Sequence, residues 1–295
     1  MTTIPAPRDP PLRQLAAWLH RHRRARLAAL LAPPLAWLGL LYLGSLAVLF
    51  LNSVWQRDEC TGLVSRTLTF DNFSQILIDP TYRTVMLRTA GMAAAVTIGC
   101  GILAFPIAYF MARVASPRVR GLLVVAVLMP LWASYLIKAY SWNLILANDG
   151  ILNWALAPLG LRGPGHTEVG LWLVFVYLWL PYMILPLYAG LERIPTSLLE
   201  ASADLGGRGW MTFRRVVFPL VIPALAAGSI FTFSLTLGDY VAPSLITPTQ
   251  FIGNVIYINF GAPNLPLAAA LSIVPLLVML GYLALARRLG AFESL

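Results

Sequence analysis

Charge is what this chain has least of. Only 11% of its 295 residues are Asp, Glu, Lys or Arg, where an ordinary soluble domain carries about 25%. That is too little to clothe a soluble core of this length. The 59% hydrophobic content therefore needs lipid as its solvent. Lysine occurs once, at Lys138, and the three histidines, His20, His22 and His166, show no metal-ligand spacing. A phosphate-binding Walker loop needs Gly-Lys-Ser/Thr, but Lys138 stands between Ile137 and Ala139. No clustered acids, histidines or nucleophile–base sets suggest an enzyme. Two cysteines are present, Cys60 in an expected loop and Cys100 in the middle of an apolar run. Half a bilayer between them supports neither a disulfide nor a metal pair.

What is present is apolar length. A bilayer core needs about 20 helical residues, and six stretches qualify: Leu27–Leu51, Thr89–Ala112, Gly121–Ala147, Val169–Leu191, Leu220–Ile246 and Pro266–Ala286. The Arg-rich N-terminus resembles a secretion signal. However, the charge-free run from Leu27 to Gln56 far exceeds a signal's apolar region of about 7–15 residues, so it reads as an uncleaved span.

The net charge is +9, and its distribution points to topology rather than to nucleic acid. With the N-terminus inside, the inner segments hold 15 basic residues: six before the first span, then Arg113, Arg118, Arg120, Arg193, Arg208, Arg214, Arg215, Arg287 and Arg288. The outer segments hold four: Arg57, Arg66, Arg83 and Arg162. Such a bias predicts an all-α integral membrane protein of six transmembrane helices with N- and C-termini cytoplasmic. Residues 1–26 and 287–295 become cytoplasmic tails, and 27–286 the membrane domain.

Prolines interrupt the spans at Pro106, Pro130, Pro181, Pro186, Pro223, Pro243 and Pro275. Either the bundle surrounds a cavity in which neighbours satisfy the freed backbone groups, or the membrane simply tolerates them. In the outer loop 148–168, Ile151–Ala157 is a short apolar piece ended by Pro158. No charge occurs from Tyr240 to Ala286, too long a run for one helix. Phe251–Phe260 is expected to lie at the outer interface or to dip partway in.

The inner loop 192–219 is the most informative stretch. Pro195 and Thr196 start a helix on which Ile194, Leu198, Ala201 and Leu205 form an apolar stripe, with Glu200 and Asp204 on a polar one. Gly206 and Gly207 interrupt it. A second amphipathic piece follows, with Phe213, Val216, Val217 and Leu220 on one face. Two short helices at an angle are expected.

Here the sequence resembles the permease subunits of binding-protein-dependent ABC importers, with the type I (MetI-like) fold. Glu200-Ala201-Ser202, Gly206, Phe213, Val216, Pro219 and Pro223 match that family's EAA loop in order and spacing. Ser202 replaces the usual second alanine, and Gly207 stands where alanine is common. The resemblance implies that Glu200, Ala201, Ser202, Asp204, Gly206, Gly207, Phe213 and Pro219 form a coupling helix docked on a cytoplasmic ATPase. A rigid knob of this kind transmits motion that a floppy loop would absorb. The alternative is an amphipathic helix lying on the membrane.

The resemblance also implies two ATP-binding subunits carrying ATP and Mg, and no cofactor on this chain. A second and different permease, a periplasmic solute-binding protein and a site in the bacterial inner membrane complete the expected assembly. It extends to the spermidine/putrescine permeases through Pro-Leu-Trp-Ala-Ser-Tyr-Leu at 130–136, Tyr140-Ser141-Trp142, Asp149-Gly150-Ile151-Leu152-Asn153, Leu237-Gly238-Asp239-Tyr240-Val241-Ala242-Pro243 and Pro266-Leu267-Ala268-Ala269-Ala270. Permeases for opines and other organic cations look similar.

Asp239 is the only carboxylate well inside an expected span. An ionised group there costs about 2.5–3.5 kcal/mol unless paired or hydrated. It is read either as a cavity anion for an alkylammonium or as the cap of a broken helix, or as a partner of Lys138. In the first reading Tyr240, Trp132, Tyr135 and Tyr140 add cation–π contacts. Otherwise Lys138 and Arg88 are expected to snorkel to the outer interface, and the tryptophans to anchor or pack. An intramembrane carboxylate also suits an ion-coupled secondary carrier, the rival class.

Overall fold

The computed structural model describes residues 22–58, 61–261 and 264–288. The expected tails and Cys60 fall wholly or mostly outside them. The chain divides into two units, one up to Asn52 and one from Ser53 onward.

In the first unit, Arg23–Trp37, a π-helical turn at Leu38–Leu43 and Gly44–Ser53 follow one another without a break. Arg26–Ser53 is long and apolar enough to cross a bilayer. Its polar side chains bond to their own helix: Ser45 Oγ donates to Tyr42 O at 2.9 Å, and Asn52 Nδ2 to Val48 O at 2.8 Å. Both groups are thus paired within the helix where lipid offers no partner.

The second unit opens with a two-stranded hairpin pairing Gln56 with Ser65 and Arg57 with Val64. Helix Asp71–Ile78 follows. The second span runs Pro80–Val114, starting well before the expected Thr89. Asp79 caps it, its Oδ1 accepting from Thr81 N at 2.8 Å with Pro80 in the first turn.

The fourth span, Glu168–Glu192, and the fifth, Gly209–Gly238, pack with the second to make the core. On the second span Val96, Cys100, Ala104 and Ala108 are buried, one stripe at helical spacing. None is bulky, so the helices close tightly. A Cβ on Gly99 would lie 2.6 Å from Trp172 Cζ2. Leu171, Phe175, Leu178, Met183 and Leu187 of the fourth span fill the other side. The sixth span, Leu265–Arg288, is keyed to the fifth by Tyr282, which stacks on Phe233 at 4.2 Å and hydrogen-bonds Ser229 Oγ at 2.8 Å.

Two expected spans are broken. Gly121–Ala147 reads as one helix in sequence, but the structure has Pro117–Trp132 and Tyr135–Leu146 bent by 92°. Ala133 and Ser134 between them are extended, with ψ 139° and 136°. Lys138 turns back to donate to Pro130 O at 3.1 Å, meeting a carbonyl at the last turn before the bend instead of reaching out alone. The fifth span, expected at Leu220–Ile246, starts at Gly209 and stops at Gly238; a separate helix, Val241–Ile246, follows.

Connecting segments agree better with the sequence. Ile151–Leu156 is helical, and a 3-10 turn, Ala157–Leu159, ends at Gly160 with φ 66°. Ile252–Gly261 is a helix whose first residues, Ile252 to Val255, are buried. It dips against the rest of the unit instead of resting on it.

Candidate functional site

The loop after the fourth span is built to be rigid. Pro195 is extended and starts helix Thr196–Asp204. That helix ends in a Schellman turn: Gly206 N donates to Ala203 O at 2.9 Å and Gly207 N to Ser202 O at 2.8 Å. Gly206 sits at φ 77°, where a side chain is strained. Gly207 is confined differently, since a Cβ would lie 2.5 Å from Ser202 Oγ and 2.6 Å from Ser202 O. Ser202 and Thr212 hydroxyls meet at 2.8 Å across the turn. The serine that departs from the family pattern thus ties the two arms together.

The second arm is not a free-standing helix. Gly209–Thr212 runs through a π turn, Phe213–Val217, directly into Phe218–Gly238. Pro219 has no N–H for the carbonyl four residues back, and the π turn occupies that place. The extra residue per turn shifts the phase: Val217 and Val221 are buried, while Leu220 is exposed. Phe213 packs edge-on to Phe105 of the second span at 5.2 Å. The outer face of the knob stays apolar and open, with Leu205 88% and Trp210 71% exposed, and Glu200 and Asp204 exposed beside them. Leu198, Ala201, Leu205, Met211 and Val216 line a groove of about 320 Å³.

Two arginines join this knob to the bundle. Arg113 Nη2 donates to Leu191 O and Ile194 O at 2.5 and 2.6 Å, capping the end of the fourth span. Arg120 donates to Met111 O and Ala112 O at 3.1 and 3.2 Å and pairs with Glu192 at 3.3 Å. Sequence reasoning counted both only as topology charges; for Arg113 the available signal was its place in the last turn of the second span, whereas Arg120 stands in the first turn of Pro117–Trp132 and reaches back to that end.

The break in the fifth span is the other polar focus. Asp239 Oδ1 accepts from Val241 N and Ala242 N at 2.8 and 3.1 Å, capping helix Val241–Ile246. Its Oδ2 accepts from Tyr135 OH at 2.5 Å. Asn254 Nδ2 donates to Tyr240 O at 3.0 Å, and Asn143 Nδ2 donates to Leu245 O. Thr89 Oγ1 receives Ile252 N at 3.0 Å. A Cβ on Gly253 would lie 2.7 Å from Asp239 O, so the dipping helix approaches the break as closely as glycine allows. Asn254, Asn143 and Thr89 were missed in sequence, where the signal was a carboxamide or hydroxyl inside an apolar run.

Tyr135, Asp239 and Tyr240 line one open cavity of about 360 Å³ with Trp179. Tyr135 stacks on Trp179 at 6.0 Å, whose buried Nε1 has no partner among the described residues. Tyr240 stacks on Tyr257 at 4.7 Å. Trp132 and Tyr140, expected in the same company, line none of it and are 89% and 57% exposed: Trp132 ends the helix before the 92° bend, and Tyr140, five residues after Tyr135 on the helix beyond it, falls on another face. Lys138 does not pair with Asp239 but bonds Pro130 O. Arg88 pairs with Glu168 at 3.3 Å and donates to Gln250 O at 3.2 Å, a bonded position in place of the expected free snorkel.

Residues 104–291 match the family described as binding-protein-dependent transport system inner membrane component. The inner membrane ABC transporter permease protein YdcU of Escherichia coli (strain K12) is 46% identical, over 100% of this chain and 99% of its own. The spermidine/putrescine transport system permease protein PotB of the same strain is 34% identical, over 77% and 84%. In solved structures, a bacterial alginate ABC transporter in complex with an alginate pentasaccharide-bound periplasmic protein superposes with a TM-score of 0.71 at 17% identity. It covers 91% of this chain and 95% of that one.

Proposed function

The chain belongs to the family of binding-protein-dependent transport system inner membrane components, and from that premise we propose that it carries polyamines or closely related organic cations inward, driven by a separate ATPase. It is a transport subunit of an ABC importer in the inner membrane, not an enzyme. In the proposed assembly, two ATP-binding subunits with ATP and Mg²⁺ sit beneath this permease and a second, different one. An external solute-binding protein delivers the cargo, and this chain binds no cofactor of its own. Both termini and the 192–219 loop face the cytoplasm, in keeping with the basic residues on that side.

The observation that carries the coupling role is the knob itself. A helix closed by a Schellman turn, bridged by Ser202 and Thr212, runs on through Phe213 and Pro219 into the fifth span. A push on Glu200, Ala201 or Asp204 therefore reaches the bundle instead of dissipating in a loop. The fifth span in turn ends at Asp239. Three donors hold that carboxylate beside the rings of Tyr135 and Tyr240, and such donors favour its charged form. Such a wall suits an alkylammonium, and relatives named for spermidine and putrescine support the choice of cargo.

The test is uptake of labelled spermidine into proteoliposomes holding the full assembly. ATP inside the ATPase compartment should drive it, and collapse of the proton gradient should leave it unchanged. Uptake that ignores ATP and follows the proton gradient would return the chain to the secondary carriers.

A further inference from the structure

We infer that a polar cavity headed by Arg57, at the end of the protein opposite the 192–219 loop, receives a carboxylate side chain of the external solute-binding protein. This rests on the importer reading above and locates its partner on this chain. The cavity, about 470 Å³, is lined by Gln56, Arg57, Asp71, Asn72, Gln75 and Asn264. These come from three separate stretches: the hairpin strand Gln56–Arg57, the start of helix Asp71–Ile78 and the residue ahead of the sixth span. Its place follows from the second span. Arg113 near the last turn of that span bonds Leu191 O and Ile194 O beside the loop, so the segments leading into Pro80 lie at the other end.

A wall of six polar residues is unusual in a chain this poor in charge, and nothing in spanning a bilayer requires it. Arg57 makes no side-chain hydrogen bond or ion pair among the described residues, and with its Nε closed off from solvent a guest in the cavity meets the guanidinium at its two Nη groups. A guanidinium matches a carboxylate with two parallel N–H donors, and the carboxamides of Gln56, Gln75 and Asn264 can add donors around it. Asn72 is already committed: its Nδ2 donates to Ser53 O and Trp55 O at 3.0 and 2.8 Å. Those bonds hold hairpin and helix together, so the walls are set before a guest arrives. Asp71 is the one carboxylate on the wall among the described residues. It repels an anion, which confines the guest to the Arg57 side and gives the two residues opposite signs in a binding experiment.

The experiment titrates the complete assembly in lipid nanodiscs with its purified, solute-loaded binding protein, reading Kd and stimulated ATPase rate. Arg57→Ala should raise Kd about tenfold and flatten its dependence on salt, with the basal ATPase rate unchanged. Arg57→Lys should lose less, keeping the charge but not the fork. Asp71→Asn should tighten binding. Unchanged affinity in Arg57→Ala, or an equal loss in Asp71→Asn, overturns the inference and leaves the importer reading standing. A wild-type assembly that no binding protein stimulates overturns both.

Discussion

Asp239 illustrates how one side chain can satisfy a broken helix and still face a cavity. Its first oxygen serves two backbone N–H groups and its second serves Tyr135. Asparagine keeps the capping oxygen, whereas leucine removes it. Asp239→Leu should therefore destabilise the protein by about 1–2 kcal/mol, the worth of a helix cap, and lower its thermal midpoint in detergent. Asp239→Asn should keep that midpoint nearly unchanged while weakening spermidine uptake, because the negative charge is gone. Uptake by Asp239→Asn at the wild-type rate would leave the residue a cap and nothing more. The capping half of this behaviour was among the readings open in the sequence. The hydroxyl of Tyr135 as its second partner was not, because 104 residues separate the two and only a bend in the third span brings them together.

Among elements, the knob in the 192–219 loop, with its proposed coupling role, depends on how each arm is ended. Gly206 at φ 77° cannot be replaced by proline, whose ring holds φ near about −65°. Gly206→Pro should insert normally and purify with the bundle intact, yet lose transport and solute-stimulated ATP hydrolysis. Normal transport by that variant would remove the coupling role from this loop. Arg113 makes a complementary case from the bundle side. Its two bonds to Leu191 O and Ile194 O tie the second span to the root of the knob. Hydrogen bonds from a charged donor are worth about 1.5–3 kcal/mol each, so Arg113→Ala should lower the thermal midpoint and uncouple ATP hydrolysis from uptake. Arg113→Lys should rescue only in part, since one ammonium cannot reproduce the planar guanidinium.

At the scale of the whole molecule, sidedness follows from one exposed residue. Leu205 is 88% exposed at the tip of the knob. In a Cys60→Ser background, Leu205→Cys should react with a membrane-impermeant maleimide only in inside-out vesicles, and should crosslink to the ATPase subunit. Native Cys100 is buried and should stay unlabelled. Labelling in right-side-out vesicles would invert the topology and dismiss the cytoplasmic partner. The basic residues that predict the orientation also serve the fold: Arg113 and Arg120 hold the ends of the second and fourth spans.

By itself the sequence determined the solvent, the number of apolar stretches and the position of the loop between the fourth span and the fifth. These depend on composition, run length and local turn chemistry, all of which act within a few residues. Gly206 as a turn and Pro195 as a start belong to that class. Only the tertiary structure decided where spans break, which aromatic rings share a cavity and which polar groups answer one another. The 92° bend that brings Tyr135 but not Trp132 to Asp239, the π turn that exposes Leu220, and the reach of Asn254 to Tyr240 O are not set within a few residues. In an apolar chain each freed backbone group must find a partner inside the protein, and no local pattern in the sequence says which one.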